Sequence, residues 1–142
     1  MTYHHTQYGA LMPILLAALA IPALWVAFAD PGPSAQWPLL AAAIMIVVLA
    51  WLFASLTVEV SEREIQWYFG PGLWTYRIAR AELDGVAVVR NTWWDGFGIR
   101  VRPGFRLYNV SGLDAVELRL KSGDVRRIGT DDAQGLAAAL RA

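Results

Sequence analysis

The hydrophobic pattern of this chain falls into long uniform blocks first and short alternating ones afterwards. Residues 10–29 read ALMPILLAALAIPALWVAFA and residues 38–56 read PLLAAAIMIVVLAWLFASL, with no charged side chain in either run. Each predicts a helix about 30 Å long, matching the hydrocarbon core of a bilayer. Buried helices of a soluble domain seldom combine this length with this purity, so both runs read as membrane spans. Residues 30–37, DPGPSAQW, join them. Pro31, Gly32 and Pro33 break the first helix, and Pro38 suits the first turn of the second. So short a connection predicts an antiparallel transmembrane hairpin. Pro22 predicts a kink, and Trp25, Trp37 and Trp51 are placed for the membrane interfaces.

From Thr57 the period changes to two. TVEVS alternates, and EIQWYFG and LWTYRIA flank a Pro71-Gly72 turn. GVAVVRN follows RAEL, a short helical turn. GIRVR and FRLYNV flank Pro103-Gly104, and AVELRLKSGDVRRIGT folds back at Ser122-Gly123-Asp124. These are strand and hairpin signals. DDAQGLAAALRA predicts a closing helix, capped by Thr130 or Asp131, with Arg141 in its last turn. Leu136, Ala139 and Leu140 give it an apolar face, at the cost of Gly135. The expected fold is α+β. A two-helix transmembrane hairpin precedes a small barrel or curved antiparallel sheet of about seven strands, with a C-terminal helix over its open end. The expected divisions are a tail (1–9), spans (10–29 and 38–56) separated by a turn (30–37), and a domain (57–142).

Charge sets the orientation. Asp30 is the only charged side chain before Glu59, and the other 23 of the 24 charged residues follow. The tail MTYHHTQYG and the connecting turn carry no Lys or Arg, whereas all 12 basic residues lie beyond the second span. The positive-inside rule then puts both termini and the domain in the cytoplasm. AFA before Asp30 resembles a signal-peptidase site. The uncharged segment ahead of it and the length of the run favour an uncleaved span. Lys121 is the only lysine, and with abundant Ala, Gly and Pro this points to a GC-rich bacterial genome, hence a bacterial inner membrane. There is no cysteine, which excludes disulfides, thiolate metal sites and thiol catalysis.

The order of two spans, strands and terminal helix resembles the bacterial PH-like domain of small membrane proteins. VSEREIQWYFGPGLWTYRI, VVRNTWWDGFGIRV, LYNVSGLDAVELRLKSGDVRRIGTDD and the closing helix carry the resemblance. It implies a PH-like barrel and leaves function open, since one fold hosts many roles. PH domains that bind phosphoinositides use a basic first hairpin loop. This chain has SERE, Ser61–Glu64, at the corresponding place, which argues against specific phosphoinositide recognition.

Catalytic chemistry finds no foothold. The part after Thr57 has neither His nor Cys, so no Ser-His-Asp set can be built there. No phosphate loop is present. DGFG, residues 95–98, lacks the motifs that accompany the kinase Asp-Phe-Gly. His4 and His5 sit side by side in a segment that reads as a mobile tail, without a third ligand. Asp84 and Asp114 read as turn residues. Asn109-Val110-Ser111 matches a glycosylation sequon that a cytoplasmic strand would not use. Neither span holds an ionisable group for transport. Ala50 and Ala54 reflect an alanine-rich composition rather than a dimer face. No cofactor, metal or nucleic acid is expected.

Contact residues remain. Arg90, Arg100, Arg102 and Arg106 cluster with only Asp95 against them. In a strand Arg100 and Arg102 share one face. Of the neighbours Trp93 and Trp94, alternation sends one into the core and one outward. Trp67 and Trp74 belong to an aromatic stretch, WYFGPGLW. Trp93, Trp94, Arg100, Arg102, Arg106, Trp67 and Trp74 are therefore the candidate membrane or partner contacts. The expected role is a non-catalytic anchored module, integral to the lipid bilayer, that binds or scaffolds another membrane protein or complex. The alternative is a sensor of anionic lipid headgroups through an Arg100/Arg102/Arg106 face.

Overall fold

The computed structural model describes residues 3–29 and 32–142. Three α-helices and two β-sheets form an α+β fold. Helix α1 runs Leu11–Phe28 and α2 runs Pro33–Leu52. They lie side by side with Ala20, Ala27 and Ala43 buried, small residues that allow close helix approach. Large apolar side chains cover the rest of both helices, among them Ile14, Leu19, Ile21, Ile44 and Val47, all exposed. Among the described residues, α2 is the one helix that is long and apolar enough to cross a membrane. The expectation of two spans is therefore supported for one of them. α1 starts at Leu11 because the residues ahead of it belong to a strand. α2 begins earlier than expected because Gly32, at φ 83°, turns the chain and Pro33 opens the helix. It also ends earlier, because Ser55 and Leu56 already pair in a sheet.

That strand is the largest departure from expectation. Tyr3–Tyr8, expected as a mobile tail, is β1. It pairs antiparallel with β2 (Ser55–Val60), from Tyr3↔Val60 to Tyr8↔Ser55. β3 (Glu64–Phe69) and β4 (Thr75–Ala79) complete a four-stranded sheet in the order β1-β2-β3-β4. The helical hairpin is therefore an insertion between two neighbouring strands.

The second sheet has the order β5-β8-β9-β7-β6. Its strands are β5 (Leu83–Arg90), β6 (Gly98–Arg102), β7 (Phe105–Asn109), β8 (Asp114–Leu120) and β9 (Val125–Gly129). β7 and β9 run parallel, Arg106 opposite Arg126, so the sheet is mixed. Nine strands are described instead of about seven, and they form two sheets rather than a closed barrel.

Alternation builds the core. Leu56, Val58 and Val60 face inward opposite Phe69, Trp67 and Ile65. Val116, Leu118 and Ile128 meet them from the second sheet, and Leu136, Ala137 and Leu140 of α3 (Ala133–Arg141) close the side. Asp132, rather than Thr130 or Asp131, caps α3 by accepting from the Gly135 N–H at 3.0 Å. A Cβ on Gly135 would overlap that carboxylate, which explains a glycine inside the first turn.

Candidate functional site

Two exposed regions carry the candidate contacts. The first is the outer hairpin β6–β7 with the segment ahead of it. Thr92 and Asp95 form a capping box around a 3₁₀ turn, Trp93–Asp95. The Thr92 N–H donates to Asp95 Oδ2 at 2.6 Å and holds this carboxyl below the usual carboxylate range. Because the turn is helical rather than extended, the two tryptophans do not alternate. Trp93 is 62% and Trp94 85% exposed, so the expectation of one inward ring is corrected. Arg102 donates to the Trp94 carbonyl and lies 3.8 Å from Asp95, and Arg100 Nε donates to the Phe97 carbonyl at 3.1 Å.

The register divides the arginines. Arg100 stands opposite Leu107 and Arg102 opposite Phe105, so these four share one face. Arg106 stands opposite Val101, on the other face with Ile99 and Tyr108. A single Arg100/Arg102/Arg106 surface does not form. Beneath the Arg100 side of the sheet, Glu117 is buried and accepts from Arg127 Nε at 2.9 Å and Arg119 Nε at 3.0 Å. Burial alone would raise this carboxyl; the two guanidiniums outweigh it and bring it below the usual range. Arg127 also covers the Phe105 ring at 3.8 Å.

The second region lies where the helices leave the first sheet. The β3–β4 turn starts beside β2, where the Gly70 N–H donates to the Ser55 carbonyl at 2.9 Å, and it lies against the end of α2. A Cβ on Gly70 would stand 2.6 Å from the Leu52 carbonyl oxygen, and its φ is 50°. Phe53 and Phe69 meet at 5.5 Å between ring centroids. Next along the turn, Leu73 and Trp74 are exposed, as are Tyr8 at the base of α1 and Trp51 near the end of α2. At the base of α1, Gly9 lies directly against Val110, and Gln7 Nε2 donates to the Ser111 carbonyl at 2.9 Å. Trp67 leaves the candidate set. It is buried, stacked on Tyr76 and edge-on to Tyr108.

Sequence reading missed Tyr8, Gly70 and Leu73. Tyr8 was hidden in a supposed tail. Gly70 and Leu73 flank a recognised turn, but only β1 and the early end of α2 show what that turn rests against.

The histidines are ordered within β1. His5 Nε2 meets Asp131 Oδ1, and His4 Nε2 lies 3.6 Å from Glu59. Tyr3 OH donates to Asp132 at 3.0 Å; burial and that carboxylate push the phenol up. Among the described residues no group of three His, Asp or Glu is placed to hold a metal ion. SERE is the second connection of its sheet, not the first; the first is the helical hairpin itself. Asn109 is buried and donates to the Gly112 carbonyl at 3.0 Å, so the sequon is a turn support.

No protein-family model matches this chain, and no curated protein matches it.

Proposed function

We propose that this chain is an integral membrane protein whose helical hairpin crosses the bilayer twice and holds a non-catalytic, PH-like binding domain at the cytoplasmic surface, where it scaffolds a partner protein or complex. The observation that carries this reading is the ladder between β1 and β2. Tyr8 pairs with Ser55, and the Gly9 N–H donates to the Ala54 carbonyl at 2.8 Å. The chain leaves the domain and returns to it at one point. If α2 crosses the bilayer, its first residue lies on the far side, and α1 is the chain's only route there. The 18 residues of α1 rise about 27 Å, within reach of the hydrocarbon thickness. Trp25 and Trp37 mark the far end, about 20 Å from Trp51. The distribution of Lys and Arg favours a cytoplasmic domain, and the composition favours a bacterial inner membrane.

The PH-like reading is supported by a four-stranded sheet, a second sheet and a terminal helix around one core. β6 ends the second sheet, with Ile99 and Val101 exposed on it, a suitable place for a partner strand.

The test uses single cysteines in a chain that has none. A membrane-impermeant maleimide on inside-out vesicles should label Ser122→Cys and spare Ser34→Cys, with the reverse on intact spheroplasts. Equal labelling of both from one side would exclude the double crossing. Partner binding is read by co-purification in mild detergent. Val101→Asp should lose a protein that the parent chain retains; recovery of the parent chain alone would sink the scaffold reading.

A further inference from the structure

The turn that rests on α2 has a consequence for how the domain meets the lipid. From Ile65 to Tyr76 the chain carries no charged residue. The middle of this stretch is fixed to the last turn of α2, because Gly70 has no Cβ and its backbone lies against the Leu52 and Trp51 carbonyls. Leu73 and Trp74 project from it, 65% and 60% exposed, although both are large and apolar. Tyr8, 77% exposed, and Trp51, 60% exposed, stand at the same level at the bases of the two helices. Together they form an apolar and aromatic collar. The first charge after the turn is Arg77, exposed on β4 and about 10 Å beyond Trp74 along the strand.

We propose that the Gly70–Trp74 turn is a membrane-interface wedge, with Leu73 and Trp74 inserted among the lipid headgroups beside α2 and Arg77 left at phosphate height. The occupant of this surface is the bilayer, because the turn is continuous with a helix long and apolar enough to cross it. Tryptophan favours this zone, where its ring is buried and its N–H stays hydrated. An arginine one short strand-length farther out meets the anionic surface. The wedge gives the domain a third attachment besides α1 and α2, and so fixes its tilt on the membrane. The inference rests on the double-crossing reading given above.

Single cysteines again provide the test, in the purified full-length chain reconstituted into phosphatidylglycerol–phosphatidylcholine vesicles. Leu73→Cys carries an environment-sensitive fluorophore. Val47→Cys, inside α2 and five residues from its end, is the lipid-facing reference, and Arg63→Cys, in the β2–β3 turn at the opposite end of β2, is the aqueous one. The label at 73 should show blue-shifted emission, loss of iodide quenching and strong quenching by lipids with a nitroxide near the headgroup. Emission and iodide quenching equal to those at 63, with 47 still shielded, would overturn the wedge while leaving the anchoring intact. Shielding at 73 in native membranes but not in these vesicles would assign the surface to a protein and equally overturn it. An aqueous signal at 47 would remove the double crossing, and the wedge with it.

Discussion

Glu117 stays charged inside the second sheet because Arg127 and Arg119 donate to it from two sides. The partners are unequal. Arg119 is 65% exposed at its side chain, whereas that of Arg127 is 21% exposed and also bonds Asn91 Oδ1 at 3.3 Å. Arg127→Ala leaves a buried carboxylate half-compensated and uncovers Phe105, so it should lower stability by about 3 kcal/mol. Arg119→Ala should cost under about 1 kcal/mol, as for exposed pairs. Thermal unfolding in detergent micelles, followed by circular dichroism, compares them. The same carboxylate predicts a pH effect. Its folded pKa lies below the ordinary glutamate value of about 4.3. The stabilisation is therefore present above that value and is lost as pH falls through the depressed one. Between pH 6 and pH 3 the parent chain should lose more thermal stability than Glu117→Gln; equal losses would remove this assignment. At this scale the sequence was only partly legible. That Arg100 and Arg102 share a face follows from strand periodicity alone. That Arg106 does not join them depends on the register across Pro103-Gly104, where Val101 meets Arg106. The orientation of Trp93 and Trp94 failed because a Thr92–Asp95 capping box bends an apparently extended segment into a helical turn.

The elements were most readable where a glycine turn separates alternating runs, as at Pro71-Gly72, Pro103-Gly104 and Ser122-Gly123. They were least readable where one element's partner is distant in sequence. β1 gives no apolar alternation, because its inward residues Tyr3, His5 and Gln7 satisfy polar groups of Asp132, Asp131 and Ser111. Its outward Thr6 bonds Thr57, hydroxyl to hydroxyl at 2.9 Å. Such a strand looks like a polar tail until the β9–α3 connection and the β7–β8 turn are placed beside it. Gly70 shows the same dependence. As sequence it is one more turn glycine; in the fold it is the contact between the first sheet and α2. Gly104 makes a matched control, because it also has positive φ, 91°, but nothing lies within 4 Å of a Cβ built there. Gly104→Ala should cost about 1 kcal/mol of backbone strain. Gly70→Ala adds a clash with the Leu52 carbonyl and should cost about 3 kcal/mol. Melting temperatures of the two variants in one detergent measure the difference. Equal effects would mean that the turn does not bear on the helix.

For the whole molecule, β1 changes what counts as the domain. A boundary at Thr57 looks natural in the sequence, because charge and period both change there. In the fold, a chain beginning at that boundary has lost β1, and with it one edge of the first sheet. It has also lost the bonds from Tyr3 to Asp132 and from Gln7 to Ser111. Residues 55–142 alone should therefore expose the edge of β2 and the inner residues Val58 and Val60, and should aggregate when expressed without the helices. The ladder suggests its own remedy. Gly9 and Ala54 are the last pair before the helices, joined by a 2.8 Å backbone bond. A two-residue Asn-Gly loop spans such a pair in a type I′ hairpin. Replacing residues 10–53 by Asn-Gly should turn the insertion into an ordinary hairpin and give a water-soluble, cooperatively melting domain of nine strands and one helix. Size-exclusion chromatography and circular dichroism distinguish the outcomes. A folded, soluble protein from residues 55–142 alone would show that β1 is dispensable. Failure of both chains would show that the domain needs α1 and α2 in order to fold. If the minimal domain folds, its collar of Tyr8, Leu73 and Trp74 is left without the helices, so any binding to anionic vesicles must come from the domain's own surface. Trp74→Ala should then weaken that binding more than Trp94→Ala does, because Trp74 stands in the turn that rests on the end of α2 and Trp94 precedes the outer hairpin.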